Sequence, residues 1–379
     1  MPSPNHRYRR LRWMRRISQA AFLLLFLILL LQTNIDALDS PDAVPEISAP
    51  VELFLELDPL VAISTVIATH SLYRNLFLAL IIIVGTLFLG RFFCGWICPM
   101  GTINQMIAAV RSGRLKGKQR LEQNRWKPYQ RWKYGVLAFM LGAAALGPTQ
   151  IGLLDPMALL TRSMALIILP AYNVLTHDMY SWSMHADAGP LSILLTGVSR
   201  VSHAILIRAE TVVFEQTFLI LLIFSAILLA NRFITRFWCR GICPLGALLG
   251  LLSKTSIYGL EKRPSLCTNC NTCAMHCQGG DNPQPGYTWH QTDCHLCMNC
   301  VAGCPEAGID FRFFPKREET TQKVSLTRRA VLTTAGAGAL TVPLLRAATH
   351  PDRTPDPTLV RPPGSLPERE FLKAQNRFS

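Results

Sequence analysis

Charged side chains are scarce in this sequence, and that scarcity argues against an ordinary soluble protein. Of the 379 residues, 16% are charged and 50% are apolar, and the apolar residues form blocks. The chain also lacks a nucleotide-binding glycine motif, a hydrolase triad and a basic surface interleaved with aromatic residues. Its net charge of +14 is concentrated at the ends of the apolar blocks, where Lys and Arg indicate topology. The composition predicts a membrane protein that binds no nucleic acid.

Cysteine is absent outside four short motifs, which argues against a secreted disulfide scaffold. The twelve cysteines form two pairs and two runs: 94 and 98, 239 and 243, 267 to 277, and 294 to 304. Two or three residues separate neighbouring cysteines within each motif, a spacing typical of metal sites.

Lys and Arg are absent from Ile17 to Tyr73, where Asp and Glu accumulate. Six arginines precede this stretch, and the apolar run Ala20–Leu31 lies near its start. Segment 1–33 is therefore predicted to be a cytoplasmic basic segment followed by a membrane anchor. A cleaved signal peptide is the alternative, but no small-x-small cleavage site follows the run.

Segment 34–260 is predicted to be the rest of an all-α, multi-pass membrane domain. Further spans are expected at about Asn75–Phe93, Tyr134–Leu154 and Val212–Phe233. The basic stretch 111–133 should lie in the cytoplasm. The form of region 155–212 is not fixed by the sequence.

An internal repeat organises this domain. "LDPLVAIST" at 57–65 and "LDPMALLTR" at 154–162 each precede a span that leads to a cysteine pair. Asp58 and Asp155 are expected to cap interfacial or half-depth helices, with proline at the first helical position. Repeats that run in the same direction imply a pseudo-two-fold axis along the membrane normal.

Each repeat ends in a Cys-x3-Cys-Pro box. "RFFCGWICPMG" at 91–101 and "RFWCRGICPLG" at 236–246 agree at seven of eleven positions. The cysteines of a pair, four residues apart, are expected on one face of a helix end, which Pro99 or Pro244 then breaks. We expect Cys94, Cys98, Cys239 and Cys243 to form one shared site for a metal, an iron–sulfur centre or a dithiol relay. Their sulfur atoms should lie roughly 4–7 Å apart, judged from bond lengths near 2.3 Å. Two buried, inert turns are the alternative.

Arginines adjoin both boxes, at Arg91, Arg236 and Arg240. They would lower the pKa values of the thiols or balance the charge of a cluster. Snorkelling of these side chains to the inner membrane surface is the alternative.

Segment 261–318 contains two C-x2-C-x2-C-x3-C runs. In such runs three cysteines hold one [4Fe–4S] cluster and the fourth crosses to the other. This rule assigns Cys267, Cys270, Cys273 and Cys304 to the first cluster, and Cys294, Cys297, Cys300 and Cys277 to the second. Two zinc sites are the alternative, but eight cysteines at this spacing suit iron–sulfur better. The nearby histidines are expected to be ordinary loop residues. The segment resembles a bacterial two-cluster ferredoxin and is expected in the cytoplasm.

Segment 325–348 has the features of a twin-arginine signal or of a fifth span. Either would place the Pro-rich tail 349–379 in the periplasm, mostly extended. Two explanations are open for the lack of cysteine after 304: a truncated chain, or a partner domain on a separate protein.

The two boxes, the repeated spans and the ferredoxin segment together resemble the NapH/NosR family of membrane polyferredoxins, over about residues 50–315. The resemblance implies four to five transmembrane helices plus a small α+β ferredoxin-like domain. It also implies a bacterial inner membrane location and a quinol-linked electron-transfer subunit that is not a self-contained enzyme. Its partners would be the quinone pool and a periplasmic or membrane redox protein. A maturation factor that reduces or delivers a metal, as in CcoG-type proteins, is the alternative.

Overall fold

The structure is a computed structural model that describes part of the chain. The described residues are 6–32, 52–70, 76–112, 115, 117–145, 154–165, 178, 181, 197, 217–280, 289–315 and 327–348. The predictions for the tail 349–379, and for most of region 155–212, lie outside them.

The described residues are mostly helical. The helices before residue 145 are α1 (His6–Gln32), α2 (Glu52–Glu56), α3 (Pro59–Thr69), α4 (Leu76–Leu89), α5 (Phe92–Trp96), α6 (Pro99–Ser112), α7 (Lys118–Asn124) and α8 (Trp132–Ala144). Those that follow are α9 (Pro156–Ser163), α10 (Thr217–Phe233), α11 (Phe237–Gly241), α12 (Pro244–Ser253), α13 (Thr272–Met275), α14 (Asn299–Gly303) and α15 (Arg328–Ala348). Two strands, β1 (Tyr258–Lys262) and β2 (Ile309–Phe313), flank the cysteine runs.

Within the described part of the chain, one helix is long and apolar enough to cross a membrane, over Tyr8–Leu30. The other apolar helices are shorter: Pro59–Thr69, Leu76–Leu89, Phe218–Phe233 and Pro244–Ser253. The second predicted span illustrates the difference, because α4 has 14 residues and is therefore about 21 Å long. The multi-pass topology stays a prediction.

The two Asp-Pro helix starts are confirmed. The Asp58 carboxylate accepts hydrogen bonds from the backbone N–H groups of Leu60 and Val61, and Pro59 is the first residue of α3. Asp155 does the same for Met157 and Ala158 at the start of α9. Because an N-cap carboxylate satisfies N–H groups that have no partner inside the helix, both helices begin where the sequence predicts.

The two repeats share one buried core. It contains the cysteines of both boxes together with apolar residues of α3, α9 and α12, among them Leu60, Met157 and Leu249. The packing therefore brings together segments that lie about 145 residues apart in the chain.

A two-stranded antiparallel sheet brackets the two predicted cluster-binding cysteine runs. Tyr258 pairs with Phe313 at one end of β1 and Lys262 with Ile309 at the other, so the strands close a loop that holds both cysteine runs. The Tyr8 hydroxyl hydrogen-bonds the Asp310 carboxylate. This bond attaches the start of α1 to β2.

Helix α15, the fifth predicted span, packs along α8 at very close range. A β-carbon at Gly142 of α8 would overlap the carbonyl oxygen of Ala335, and one at Gly338 of α15 would overlap that of Phe139. Small residues allow two helix backbones to approach in this way. α15 is therefore an integral part of the helical domain.

This contact predicts opposite outcomes for two glycines of α15. Gly338→Leu should destabilise the protein by about 1–3 kcal/mol, because the new side chain overpacks a closed interface. A β-carbon at Gly336 would meet no atom within 4 Å, so Gly336→Leu is the matched control and gains the same helix propensity. Thermal unfolding of the full-length protein in detergent measures both. Equal midpoints for the two variants would contradict this packing.

Candidate metal centre

Each Cys-Pro box bends the chain between two helices. Cys94 lies in α5, whereas Cys98 comes after its end and directly before Pro99, which begins α6. In the second box Cys239 lies in α11, and Cys243 is the N-cap of α12. The expectation that each pair lies on one helix face is therefore wrong, because the helix ends between the two cysteines. The predicted start of a new helix at Pro99 and at Pro244 is confirmed.

The second cysteine of each box accepts the same backbone hydrogen bond. The N–H of Gly101 donates to Cys98 Sγ at 3.4 Å, and the N–H of Gly246 donates to Cys243 Sγ at 3.2 Å. A β-carbon at Gly101 would lie 2.7 Å from the carbonyl oxygen of Cys94. The glycine of the motif is thus required for this close turn.

The four box cysteines lie in one buried cluster, 5–7% exposed. The charges of Cys94 and Cys239 act on both Cys98 and Cys243, and Asn104 Nδ2 donates to Cys239 Sγ at 3.6 Å. Burial, followed by the neighbouring thiols, raises the pKa of Cys98 and of Cys243 well above the ordinary thiol value. Ionised sulfur here needs a compensating cation such as a metal. Ligation by these residues stays a prediction.

Buried cations surround the boxes. The Arg91, Arg236 and Arg240 side chains are at most 1% exposed, as are Arg15 and Lys133. Arg236 donates to the carbonyl of Cys94 at 3.3 Å and to Gln105 Oε1 at 2.8 Å. Complete burial excludes the snorkelling alternative for the three arginines and leaves both expected roles, lowering of thiol pKa values and charge balance. Burial has the largest effect on the pKa of Cys239 and raises it, whereas the charges of Arg236 and Arg91 act to lower it.

Asp293 provides a carboxylate partner for two of these cations. Its Oδ1 pairs with Lys133 Nζ and lies 3.9 Å from Arg91 Nη1. Burial alone would raise the pKa of Asp293, but the charges of Lys133 and Arg91 hold it below its ordinary value. Asp293 therefore stays ionised inside the protein.

The two ferredoxin cysteine runs adopt the same backbone conformation. Positive φ angles occur at Asn269 and Asn271 in the first run, 56° and 60°, and at Leu296 and Met298 in the second, 51° and 58°. A left-handed conformation is unusual for Leu and Met. Its recurrence at equivalent positions indicates a loop shaped to direct three cysteines inwards.

The structure brings together the cysteine sets expected for each cluster. One surface pocket is lined by Cys267, Cys270, Cys273 and Cys304 among its residues. Burial, with the thiols of the other three adding to it, raises the pKa of Cys273 to about 11. Among the described residues, no group of three or more His, Cys, Asp or Glu side chains is close enough together to bind a single metal ion.

The second set contains the crossing cysteine. The thiols that act on Cys300 include Cys297, Cys277 and Cys294. Cys297 and Cys300 are buried, whereas Cys270 of the first set is exposed. Cys277 and Cys294 are half-buried and Cys273 is buried, so the second set as a whole is more buried than the first.

The first box packs directly on the second cysteine run. The Trp96 indole N–H donates to the carbonyl of Leu296 at 3.1 Å, and a β-carbon at Gly95 would overlap the carbonyl oxygen of His295. Arg91 adds a hydrogen bond to the carbonyl of Thr292 at 2.6 Å. The peptide between Cys94 and Cys98 thus touches the peptide between Cys294 and Cys297.

His295 is a feature that sequence reasoning missed. Its side chain is 2% exposed, and neither ring nitrogen has a hydrogen-bond partner among the described residues. Burial, followed by Arg91, Arg236 and Lys133, lowers the pKa of His295 well below its ordinary value, so the ring is neutral. The sequence predicts an ordinary loop residue at this position. Its place between two cysteines was the available signal that the side chain is buried.

Comparison with known proteins gives the class of the chain. A family described as a 4Fe-4S binding domain matches twice, at residues 72–118 and 216–261, and each match contains one Cys-Pro box. The chain thus contains sequence of an iron–sulfur class in its helical part. No solved structure matches it.

Particular relatives support this class. YccM of Escherichia coli, which its name describes as an electron transport protein, is 26% identical over 63% of this chain and 55% of its own length. NirI of Paracoccus denitrificans is 26% identical over 57% of this chain and 25% of its own, and the regulatory protein NosR of Pseudomonas aeruginosa 24% identical over 55% and 23%. The chain spans about half of the first relative and a quarter of the others. The predicted resemblance to NosR/NapH-type ferredoxin-containing electron-transport proteins is confirmed.

Asp293→Asn should destabilise the protein by about 3–5 kcal/mol, because it leaves two buried cations without their carboxylate. In the wild-type protein, the stabilisation by ionised Asp293 is present above about pH 4, the ordinary Asp range. It is lost as pH falls through the lower pKa that Asp293 has in the folded state. The stability of the variant should not show this acid-dependent decrease. Glu122→Gln, which removes an exposed carboxylate 3.5 Å from Lys127, should cost about 0–1 kcal/mol. Denaturant unfolding between neutral and acid pH measures both, and equal costs would contradict the assignment.

Proposed function

We propose that this protein transfers electrons between the quinone pool and a partner redox protein, as a multi-pass subunit of a bacterial inner membrane. Cys94, Cys98, Cys239 and Cys243 would hold one iron–sulfur or metal centre. The two ferredoxin sets would hold a [4Fe–4S] cluster each. These centres accept and give up single electrons, and the polypeptide holds them and excludes water.

The contact between the first box and the second cysteine run carries this proposal. Electron transfer slows steeply with distance, so centres in series must be neighbours. Trp96 and Gly95 touch the backbone of Leu296 and His295 directly, between the cysteines of both proposed sites. The second ferredoxin set is then the one that exchanges electrons with the boxes.

Buried charge supports an anionic group at the boxes. The buried Arg, Lys, Asp and Glu side chains of the described residues are five cations, Arg15, Arg91, Lys133, Arg236 and Arg240, and three carboxyl groups, Asp58, Asp155 and Asp293. Buried charges are stable when paired. Cysteine thiolates that bind a metal centre would supply the missing negative charge, and the hydrogen bonds to Cys98 and Cys243 suit thiolate acceptors.

The exposure of the first cysteine set indicates which end of the proposed electron-transfer path faces the partner protein. Cys270 is exposed and Cys267 half-buried, and Leu266, which lines the same pocket, is 43% exposed. An exposed apolar side chain beside a proposed cluster suits a protein partner. The first set would therefore pass electrons to, or receive them from, that partner.

Apolar surfaces on α4 and α10 support the membrane location. Large side chains point away from the core on both helices, such as Phe77 and Phe88 on α4 and Phe218 and Leu229 on α10, each more than half exposed. Lipid would cover them. The ferredoxin segment would then lie in the cytoplasm and the tail 349–379 in the periplasm.

A shared centre at the boxes predicts that Cys94→Ser and Cys239→Ser have the same effect. Both should remove one and the same EPR signal and lower the iron and sulfide content equally, because each removes a ligand of one centre. Both ferredoxin signals should persist. Cys270→Ser, the control, should alter a ferredoxin signal and leave the box signal intact. Loss of different signals in the two box variants would mean two separate sites.

Electron entry through the boxes predicts a selective kinetic defect. In liposomes that contain a quinol, Cys94→Ser should abolish quinol-driven reduction of the ferredoxin centres, whereas dithionite should still reduce them. Absorbance of the iron–sulfur centres follows both reactions. Electron transfer would be the wrong function if loss of the protein left quinol-dependent reduction intact in cells while a partner metalloenzyme lacked its metal, as a maturation factor requires.

A further inference from the structure

Two buried aspartates, one from each repeat, touch each other. Asp58 and Asp155 are both 0% exposed, and their carboxyl groups lie within hydrogen-bonding reach of each other. They occupy equivalent positions in the two Asp-Pro motifs. Equivalent residues that contact each other lie on the axis relating the two halves. The pair therefore marks the pseudo-two-fold axis inside the helical domain.

Each carboxyl group uses one oxygen to cap its helix. Asp58 Oδ1 accepts from the N–H of Leu60 at 2.8 Å, and Asp155 Oδ2 accepts from the N–H of Ala158 at 2.9 Å. The other oxygens, Asp58 Oδ2 and Asp155 Oδ1, are buried with no donor among the described residues. Two carboxylates can only accept hydrogen bonds, so their contact requires a proton. One proton turns a repelling pair into an O–H···O hydrogen bond.

We propose that Asp58 and Asp155 share one proton in the resting protein and bind a second proton when negative charge is added at the cysteine boxes. The first half of this inference stands on the carboxyl geometry alone, and the second rests on the proposed function. Two other groups act on the pair in the described part of the chain. Arg162, on the same helix as Asp155, attracts its negative charge, and Cys98 lies within electrostatic range of Asp58.

The link to the boxes follows from electrostatics. In a buried region a negative charge added near Cys98 increases the proton affinity of a neighbouring carboxylate, because little solvent screens the two charges. An electron from a quinol or from dithionite would therefore draw one proton from water onto the pair. The pair would change from one acid and one carboxylate to two acids, and an O–H bond is the bond that forms.

Infrared spectroscopy of the full-length protein tests the site directly. A hydrogen-bonded carboxylic acid has a C=O stretch that carboxylates lack and that shifts in D2O. Wild-type protein at neutral pH should show this band. Asp58→Asn and Asp155→Asn should each abolish it, because asparagine caps a helix as well as aspartate and its amide donates to the remaining carboxylate. Asp310→Asn, at a half-buried aspartate outside the pair, is the control and should leave the band unchanged.

Reduction by dithionite tests the link. The wild-type band should increase on reduction, while both Asn variants should show no change. Absence of the band from wild-type protein would overturn the proton site. This test uses wild-type protein alone, so it does not depend on whether the variants fold. A band that is identical in oxidised and reduced protein would overturn the link and leave a static pair. EPR on the same samples shows separately whether the boxes hold a redox centre, so failure of the proposed function is distinguishable.

Discussion

The burial of several positive charges beside the cysteine boxes constrains the rest of this structure. A guanidinium group has five N–H donors and stays charged, so inside a protein it must collect acceptors from several segments. Arg240 does so with the carbonyls of Gln123, Thr235 and Arg125. Arg91 reaches Thr292 in the ferredoxin segment. Each buried arginine thereby fixes segments that are distant in sequence, and their summed charge requires anions nearby.

Local signals in the sequence predicted the features that depend on neighbouring residues. Asp58 and Asp155 cap their helices because the carboxylate, the proline and the helix start all lie within four residues. Pro99 and Pro244 start new helices for a similarly local reason. The cysteine sets of the ferredoxin segment also follow from spacing, and Cys273 lies with Cys304 as expected.

Features that depend on long-range packing could not be predicted in this way. Nothing near Lys133 in the sequence indicates that it pairs with Asp293, 160 residues away. The sequence around His295 indicates only a loop, whereas in the structure its backbone packs on Gly95 of the first box and its ring lies beside Gly279. Hydropathy similarly indicates apolar segments but does not set where α4 ends at Leu89.

The differences between the two boxes explain how a symmetric pair can serve a single ferredoxin. The shared positions supply the cysteines, the prolines and the glycines of the turn, which lie in the common core. Two positions that differ lie between the cysteines: Gly95-Trp96 in the first box and Arg240-Gly241 in the second. The first pair contacts the backbone of the second cysteine run. Arg240 instead binds carbonyls ahead of α8 and packs against Gly280, which follows the first run, and Gly241 packs on Tyr129. One ferredoxin cannot make the same contact with both halves of a two-fold arrangement. The repeats must therefore diverge at the positions that face it, while the residues around the axis keep their identity.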